Sequence, residues 1–196
     1  GYLFGIGFFL TGTHWISHSL TFDENFQFLI PFAIIGLPIF LGLFFGIANL
    51  LTGPFLQNNF TSILLFSSSL ALMDYIRAKI FSGFPWNAWA YTWSWKPEIL
   101  QPLYYFGFYS FNLLCIIIYC TPLLLIFKKK FNLILFAIIS LVFFGNYIYG
   151  SSVIKKNDEN LINLKLNSKN SIYTKIISPN FDLKYNLSNN DLGENI

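Results

Sequence analysis

The chain has 196 residues, of which 55% are hydrophobic and only 11% are charged, and its formal net charge is +3. About a quarter of the residues of an ordinary soluble domain are charged, so this composition excludes a typical soluble protein and indicates a membrane protein. So small a net charge also argues against nucleic acid as a partner.

The charged residues are segregated along the chain, and the gaps between them predict membrane-spanning helices. Asp, Glu, Lys and Arg are absent from residues 1–22, 25–73, 99–127 and 131–154. A spanning helix needs about 20 apolar residues, and the turn residues Gly53 and Pro54 divide the second of these stretches. We therefore predict an all-α polytopic membrane helix bundle with five spanning helices, near residues 1–21, 28–52, 61–81, 100–127 and 131–150.

The segment after residue 150 has a different composition, because 11 of the chain's 21 charged residues lie in it. Apolar and polar residues alternate over 162–167, which is the period of a half-buried strand. Turn residues then separate this stretch from a second predicted strand at 172–177. We therefore divide the chain into a transmembrane helical domain, residues 1–150, and the start of a water-soluble domain, residues 151–196. Gly1 already lies inside an apolar run, so we expect an internal piece of a longer protein.

Three consecutive lysines, Lys128, Lys129 and Lys130, form the densest basic cluster and stand between two predicted spans. The positive-inside tendency places such a cluster in the cytoplasm. The helix at 131–150 would then deliver the soluble segment to the opposite face. Residues 82–96, which we call the corner, would reach that face too. Three cations lie on each side in this arrangement, so charge alone does not decide the topology.

The corner follows a cluster of charged residues at the end of an apolar run. A charge inside a membrane costs about 2.5–3.5 kcal/mol on insertion scales, so it is rarely kept without a partner or a use. Two interpretations of Arg77 stay open. It lies three residues after Asp74, which suits an ion pair on one helix face. Alternatively Arg77, together with Lys79, contacts a phospholipid phosphate, since Arg suits bidentate phosphate contacts.

Two further groups of side chains each allow a structural and a functional interpretation. The corner tryptophans are an interfacial aromatic belt or part of a lipid-binding entrance; they are Trp86, Trp89, Trp93 and Trp95. His14 and His18 are one helical turn apart, a spacing compatible with a metal. No third ligand is near them in sequence, so hydrogen-bonded interfacial histidines are the favoured interpretation, and we expect neither a metal nor another cofactor.

Cys115 and Cys120 are the only cysteines, and both fall inside a predicted apolar helix. Free cysteines in such positions usually behave as small core residues. A nucleophilic thiol needs a neighbouring base or cation, and the sequence around these two offers none. We therefore expect both to be core residues and expect no catalytic residue in this chain.

Three segments resemble bacterial apolipoprotein N-acyltransferases. Residues 5–16 resemble that family's Gly-Phe-Gly-x-x-x-x-Gly-x-x-Trp-Ile segment. Residues 74–77 with 82–86 are similar to its acidic-x-x-Arg and Thr-Gly-Phe-Pro-Trp signature. Residues 176–182 and the Lys184-Tyr185 pair resemble the opening strand of its nitrilase-like domain, although Tyr185 stands where the family usually has Trp.

The resemblance implies an enzyme of the bacterial inner membrane with its soluble segment on the periplasmic side. Such enzymes transfer an acyl chain from a membrane phospholipid to the N-terminal amine of diacylglyceryl-cysteine lipoproteins. They do so through a thioester on a Glu-Lys-Cys triad in the nitrilase-like domain. None of that triad lies in this chain, so we expect the chain alone to be inactive. By resemblance, Arg77, Gly83 and Trp86 would form the phospholipid entrance. The alternative is a non-enzymatic multi-pass protein, either a transporter or a lipid-binding anchor.

Overall fold

A computed structural model describes residues 1–80, 83–127 and 129–167, except for the side chains of residues 166 and 167. Every regular element within these residues is helical. The α-helices are α1 Tyr2–Thr13, α2 Ile16–Ser19, α3 Leu37–Thr52, α4 Phe60–Arg77, α5 Pro102–Cys120, α6 Leu123–Ile126 and α7 Lys130–Asn167. Short 3₁₀ turns cover Glu24–Leu29, Gly53–Phe55 and Trp89–Trp93, and a π turn covers Phe32–Gly36.

Three helical stretches in the described residues are long and apolar enough to cross a membrane: Phe32–Phe55, Pro102–Ile126 and Lys130–Lys165. These agree with three of the five predicted spans, and their length and apolar composition are those of a membrane protein. The count of five is not confirmed. The predicted helix at 1–21 breaks after Thr13, and α4 carries three consecutive serines and a charged last turn that lower its hydropathy.

The strand predicted over residues 162–167 is wrong, because α7 continues without interruption to Asn167. Only three apolar residues carry the alternation there, and the surrounding Leu, Lys and Glu residues favour a helix. Extending an existing helix is also easier than starting a new element, since the nucleation cost has already been met. The second predicted strand, the segment resembling the nitrilase-like domain and Tyr185 all lie outside the described residues.

Helices α1 and α3 run antiparallel and are in close contact through glycines. A β-carbon built on Gly5 would lie only 2.8 Å from the Cβ of Phe45 and 3.0 Å from the Cα of Gly42. A β-carbon built on Gly42 would lie 2.9 Å from the amide nitrogen of Ile6. Small residues allow such close approach between membrane helices. The central hydrophobic cluster continues from this contact into α4 and α5; it includes Phe9, Leu41, Phe45, Ala48, Leu70, Met73 and Ile116.

After α4 the chain turns back into the bundle, and we call residues 83–101 the re-entrant segment. Trp89 stacks on Phe8 of α1, with ring centroids 5.2 Å apart. Trp93 stacks on Tyr119, close to the far end of α5, at 6.1 Å. The segment therefore extends into the interior of the bundle, past the ends of the neighbouring helices. Irregular backbone is tolerated at membrane depth only where protein surrounds it, and here α1, α4, α5 and α7 do so.

The middle of α7 lies beside the end of the re-entrant segment. The side-chain amide of Asn146 donates to the carbonyl oxygen of Ile99 at 3.1 Å. One turn later Gly150 touches the carbonyl of Glu98, and a β-carbon at this glycine would collide with it. Helix α7 therefore ends on the same side of the bundle as the corner, while its start lies on the opposite side.

Candidate functional site

Arg77, the last residue of α4, contacts the corner and is almost completely buried, with 2% of its surface exposed. One guanidinium nitrogen, Nη2, donates to Oδ1 of Asp74 at 3.0 Å. The other, Nη1, donates to the carbonyl oxygens of Phe84 at 2.8 Å and Trp86 at 2.6 Å. The ion pair between Asp74 and Arg77, one of the two interpretations left open by the sequence, is present. The same cation also holds the first turn of the corner against the end of α4.

Two aromatic rings cover the guanidinium of Arg77. Its central carbon lies 5.1 Å from the ring centroid of Phe9 and 5.8 Å from that of Phe84. Cation–π contacts of this kind are worth about 0.5–2 kcal/mol, more when desolvated. The Nε atom is buried and has no hydrogen-bond partner among the described residues. Three of the five N–H groups of the guanidinium are therefore used by Asp74, Phe84 and Trp86, and the buried Nε–H is not.

Asp74 has 3% of its surface exposed and shares its carboxylate between two helices. While Oδ1 accepts from Arg77, Oδ2 accepts from the side-chain amide of Asn112 in α5 at 2.9 Å. Asn112 in turn accepts from the backbone amide of Ala90 at 2.9 Å. We did not predict Asn112 or Ala90. A buried Asn inside a charge-free helix is a signal for a polar contact between helices, but the sequence does not name its partners.

Gly83 makes the sharp exit from α4 possible. Its φ angle is 80°, a backbone conformation that residues other than glycine rarely adopt. A β-carbon there would also lie 2.7 Å from the carbonyl oxygen of Ala78. The backbone amide of Phe84 then donates to the carbonyl of Arg77 at 3.1 Å. The turn is thus held by both the backbone and the side chain of the same residue.

Trp86 lies at the surface of the corner, with 53% of its side chain exposed. Its ring meets that of Trp15 edge to face, with centroids 6.4 Å apart. The next residue, Asn87, has a φ angle of 60°, and its side-chain amide donates to the carbonyl of Gly12 at 3.2 Å. The corner is therefore tied to the end of α1 as well as to α4. Trp15 and Asn87 were not among the predicted site residues.

A small cavity of about 140 Å³ opens beside the corner. Arg77, Gly83 and Phe84 line one side of it, and the first turns of α3 line the other. A larger and almost wholly apolar cavity of about 410 Å³ lies between α5 and α7. Of the two, only the smaller one has a charged side chain, Arg77, at its wall.

The other candidates are placed as follows. Trp89 and Trp93 are partly buried and pack against the hydrophobic clusters of the bundle, a placement that neither of the two interpretations described. His14 Nδ1 is 2.8 Å from the carbonyl oxygen of Thr11, and no group of three potential ligands that could hold a metal occurs in the described part of the chain. Cys115 is a buried core residue, as predicted, and Cys120 is partly buried.

Comparison with known proteins identifies the family. The sequence profile of the apolipoprotein N-acyltransferase N-terminal domain matches residues 1–121. The chain belongs to the apolipoprotein N-acyltransferase family. The family resemblance is thereby confirmed. The matched residues include the first two motif segments, whereas the third, residues 176–182 with Lys184-Tyr185, lies beyond them and stays a prediction. No solved structure matches the chain at a significant level.

Individual relatives agree with the profile. The chain is 37% identical to the apolipoprotein N-acyltransferase of Rickettsia prowazekii (strain Madrid E) over 169 residues, 85% of this chain and 34% of that protein. It is 33% identical to the enzyme of that name from Rhizobium rhizogenes over 64% of this chain and 24% of the relative. The corresponding protein of Brucella melitensis is also 33% identical over 64% of this chain, and 24% of it is covered. The chain thus spans 24–34% of the length of these relatives.

Proposed function

We propose that this chain is the membrane part of an enzyme that transfers an acyl chain from a membrane phospholipid to the N-terminal amine of diacylglyceryl-cysteine lipoproteins. Membership in the family supports this activity, and the buried Arg77 at the wall of the corner cavity is the observation on which the proposed site depends. No catalytic residue is proposed within the chain. The chemistry belongs to a nitrilase-like domain that would begin after α7.

The reaction would proceed in two acyl transfers. A cysteine thiolate attacks the carbonyl carbon of the phospholipid ester, so a thioester forms and a lysophospholipid leaves. The amine of the acceptor lipoprotein then attacks the thioester, forms the amide and releases the thiolate. A Glu would move the protons and a Lys would stabilise the oxyanion in both steps. Neither transfer requires a metal or an organic cofactor.

Within this scheme Arg77, Gly83 and Trp86 form the phospholipid entrance. Trp86 is half exposed at the surface of the corner, where its ring can contact lipid. Gly83 keeps the backbone close to α4, which leaves the neighbouring cavity open. Arg77 holds the carbonyl groups of Phe84 and Trp86. Its buried, unpaired Nε would donate to a phosphate oxygen that enters the neighbouring cavity. A charge-assisted hydrogen bond of that kind is among the stronger ones in proteins.

The orientation proposed for the chain in the bacterial inner membrane follows from the lysine cluster. Lys129 and Lys130, with Lys128, would lie in the cytoplasm. The corner and the C-terminal end of α7 share the opposite side of the bundle, so both would face the periplasm. This arrangement would put the phospholipid entrance next to the domain that carries the thiolate.

The activity can be tested with the full-length protein that contains these residues. It should be purified, incubated with phospholipid radiolabelled in the acyl chain, and separated by denaturing gel electrophoresis. We expect a labelled protein band that hydroxylamine removes, as it removes a thioester. A full-length protein that never acquires this label, although it is folded and given bacterial phospholipids, would contradict the proposal.

The 196-residue chain alone provides the matched comparison. Cys115 is buried in the core and Cys120 is partly buried. Their side-chain hydrogen-bond partners among the described residues are Trp93 and Ser67, and neither of these is a base that could activate a thiol. We therefore expect no labelled band from this chain under the same conditions. A band that disappears on Cys115→Ala or Cys120→Ala would show that the chain itself carries a reactive thiol, and the assignment of the chemistry to another domain would be wrong.

A further inference from the structure

Asn112 joins three parts of the fold that are distant in sequence. It lies in the middle of α5 and is fully buried. Its Nδ2 donates to Oδ2 of Asp74 in α4 at 2.9 Å, and its Oδ1 accepts from the backbone amide of Ala90 at 2.9 Å. Both polar atoms of the side chain are therefore in use, one toward the charged end of α4 and the other toward the re-entrant segment.

The two contacts demand a side chain that donates and accepts at once. An amide does so with its nitrogen and its oxygen, whereas an ionised carboxylate only accepts and an aliphatic side chain does neither. In a buried position each unmade hydrogen bond leaves a desolvated polar group without a partner. The environment of Asn112 thus explains why an Asn occupies an otherwise apolar helix.

These contacts form one continuous path of hydrogen bonds. It runs from the carbonyl of Trp86 through Arg77, Asp74 and Asn112 to the amide of Ala90. The path closes a ring around residues 86–90, so that both ends of this stretch are held by α4 and α5. The stretch that begins with Trp86 is therefore fixed to the bundle at two points, the carbonyl of Trp86 and the amide of Ala90.

We infer that Asn112 is a positioning residue, which fixes the re-entrant segment between α4 and α5 and thereby holds Trp86 at the phospholipid entrance. Asn112 touches neither lipid nor a reacting atom in this role. The inference rests on the proposed function of the corner for its effect on acyl transfer. The anchoring of the segment itself does not depend on that function.

An exchange of two side chains tests the inference. Asp74→Asn alone places two amides face to face and removes the anion beside Arg77. Asn112→Asp alone places two carboxylates face to face. In the double variant, Asn at 74 donates to Asp at 112 and still accepts from Arg77, while Asp at 112 accepts from Ala90. The double variant therefore keeps all three hydrogen bonds and the total charge of the network.

Two measurements should be made on the full-length protein in lipid nanodiscs. The first is hydrogen exchange of peptides that contain Ala90, because its amide is the group held by Asn112. We expect roughly tenfold faster exchange in each single variant and near-wild-type exchange in the double variant. The second is the rate of acyl-enzyme formation across phospholipid concentrations. We expect it to fall roughly tenfold or more in each single variant and to recover to within about threefold of wild type in the double variant.

Thr52→Val serves as the matched control. Thr52 is also buried, but the hydrogen bond that its hydroxyl donates within the described residues goes to the carbonyl of Ala48 in its own helix, at the other end of the bundle. This variant should leave both Ala90 exchange and acylation unchanged. Loss of folding in the single variants does not obscure the result, because recovery in the double variant is measured on folded protein.

The outcomes separate the two claims. Unchanged Ala90 exchange in both single variants would overturn the inference, since Asn112 would not hold the segment. Faster exchange that the double variant reverses, with acylation at the wild-type rate throughout, would overturn the role at the entrance. If wild-type protein forms no acyl-enzyme, the proposed function fails. Recovery of Ala90 exchange in the double variant then supports the anchoring by Asn112, and absence of recovery overturns it.

Discussion

Replacing Arg77 by Ala removes the group that holds the corner to α4. Asp74 then remains buried without its cation, and the carbonyls of Phe84 and Trp86 lose their donor. Breaking a buried ion pair by removing one partner costs about 3–5 kcal/mol. If about 1.5–3 kcal/mol of this appears in the barrier to acylation, the rate falls roughly 10- to 100-fold. We expect the acylation rate of Arg77→Lys to fall less. Its ammonium still pairs with Asp74, but it lacks the planar set of donors that binds both carbonyls at once.

The assay is acyl-enzyme formation by the full-length protein with radiolabelled phospholipid, measured over a range of donor concentrations. Thermal unfolding in detergent is measured in parallel, so that a loss of rate can be separated from a loss of folded protein. Lys96→Ala is the control, since Lys96 lies in the same corner but its ammonium lies over the ring of Trp95, 5.3 Å from the centroid. This substitution should change the rate by less than about threefold.

The order of the rates decides the interpretation. We expect wild type and Lys96→Ala to be fastest, Arg77→Lys to be intermediate and Arg77→Ala to be slowest. Wild-type acylation by both Arg77 variants at every donor concentration would refute the reasoning, and the corner would then be only an interfacial structure. If Arg77→Ala acylates slowly solely because it has unfolded, its thermal unfolding temperature will lie at or below the temperature of the assay.

Three further predictions concern other parts of the chain. Gly83→Val should slow acylation more than Gly83→Ala in the same assay, because φ is 80° and a larger side chain meets the carbonyl of Ala78; equal rates for both would contradict this. Gly42→Leu should lower the thermal unfolding temperature by several degrees, since its β-carbon would lie 2.9 Å from the nitrogen of Ile6. In intact cells expressing a variant without the native cysteines, a cysteine at Ser168 should react with an impermeant maleimide. One at Lys129 should react only after the membrane is broken, and the reverse pattern would invert the topology.

Much of the helical organisation follows from where the charges are absent. The predicted helices at 61–81, 100–127 and 131–150 correspond to α4, to α5 with α6, and to the first half of α7. The ion pair between Asp74 and Arg77 also follows from sequence, because residues three apart share a helix face. In both cases the deciding interactions are local, so the pattern along the chain is sufficient.

Contacts between distant residues account for what the sequence did not reveal. Asn112 meets Asp74 across 38 positions, and Asn87 meets Gly12 across 75. Neither the periodicity of apolar residues nor the spacing of polar ones indicates contacts between residues so far apart in sequence. The interior placement of Trp89 was missed for the same reason, since aromatic residues near a membrane boundary are equally typical of an interfacial belt. The wrong strand at 162–167 had another cause, because three alternating residues are too few to outweigh the continuing helix.

The separation of Asp74 from Asn112 also has a consequence during synthesis. Helix α4 is complete 35 residues before Asn112 is made, which at 5–20 residues per second is a delay of about 2–7 s. Throughout that interval its charged last turn has no partner from α5. Entry of α4 into the lipid should therefore be delayed until α5 emerges, so that the two helices leave the insertion machinery together. Truncated nascent chains that end before and after Asn112 would reveal this as a change in how firmly α4 is held in the bilayer.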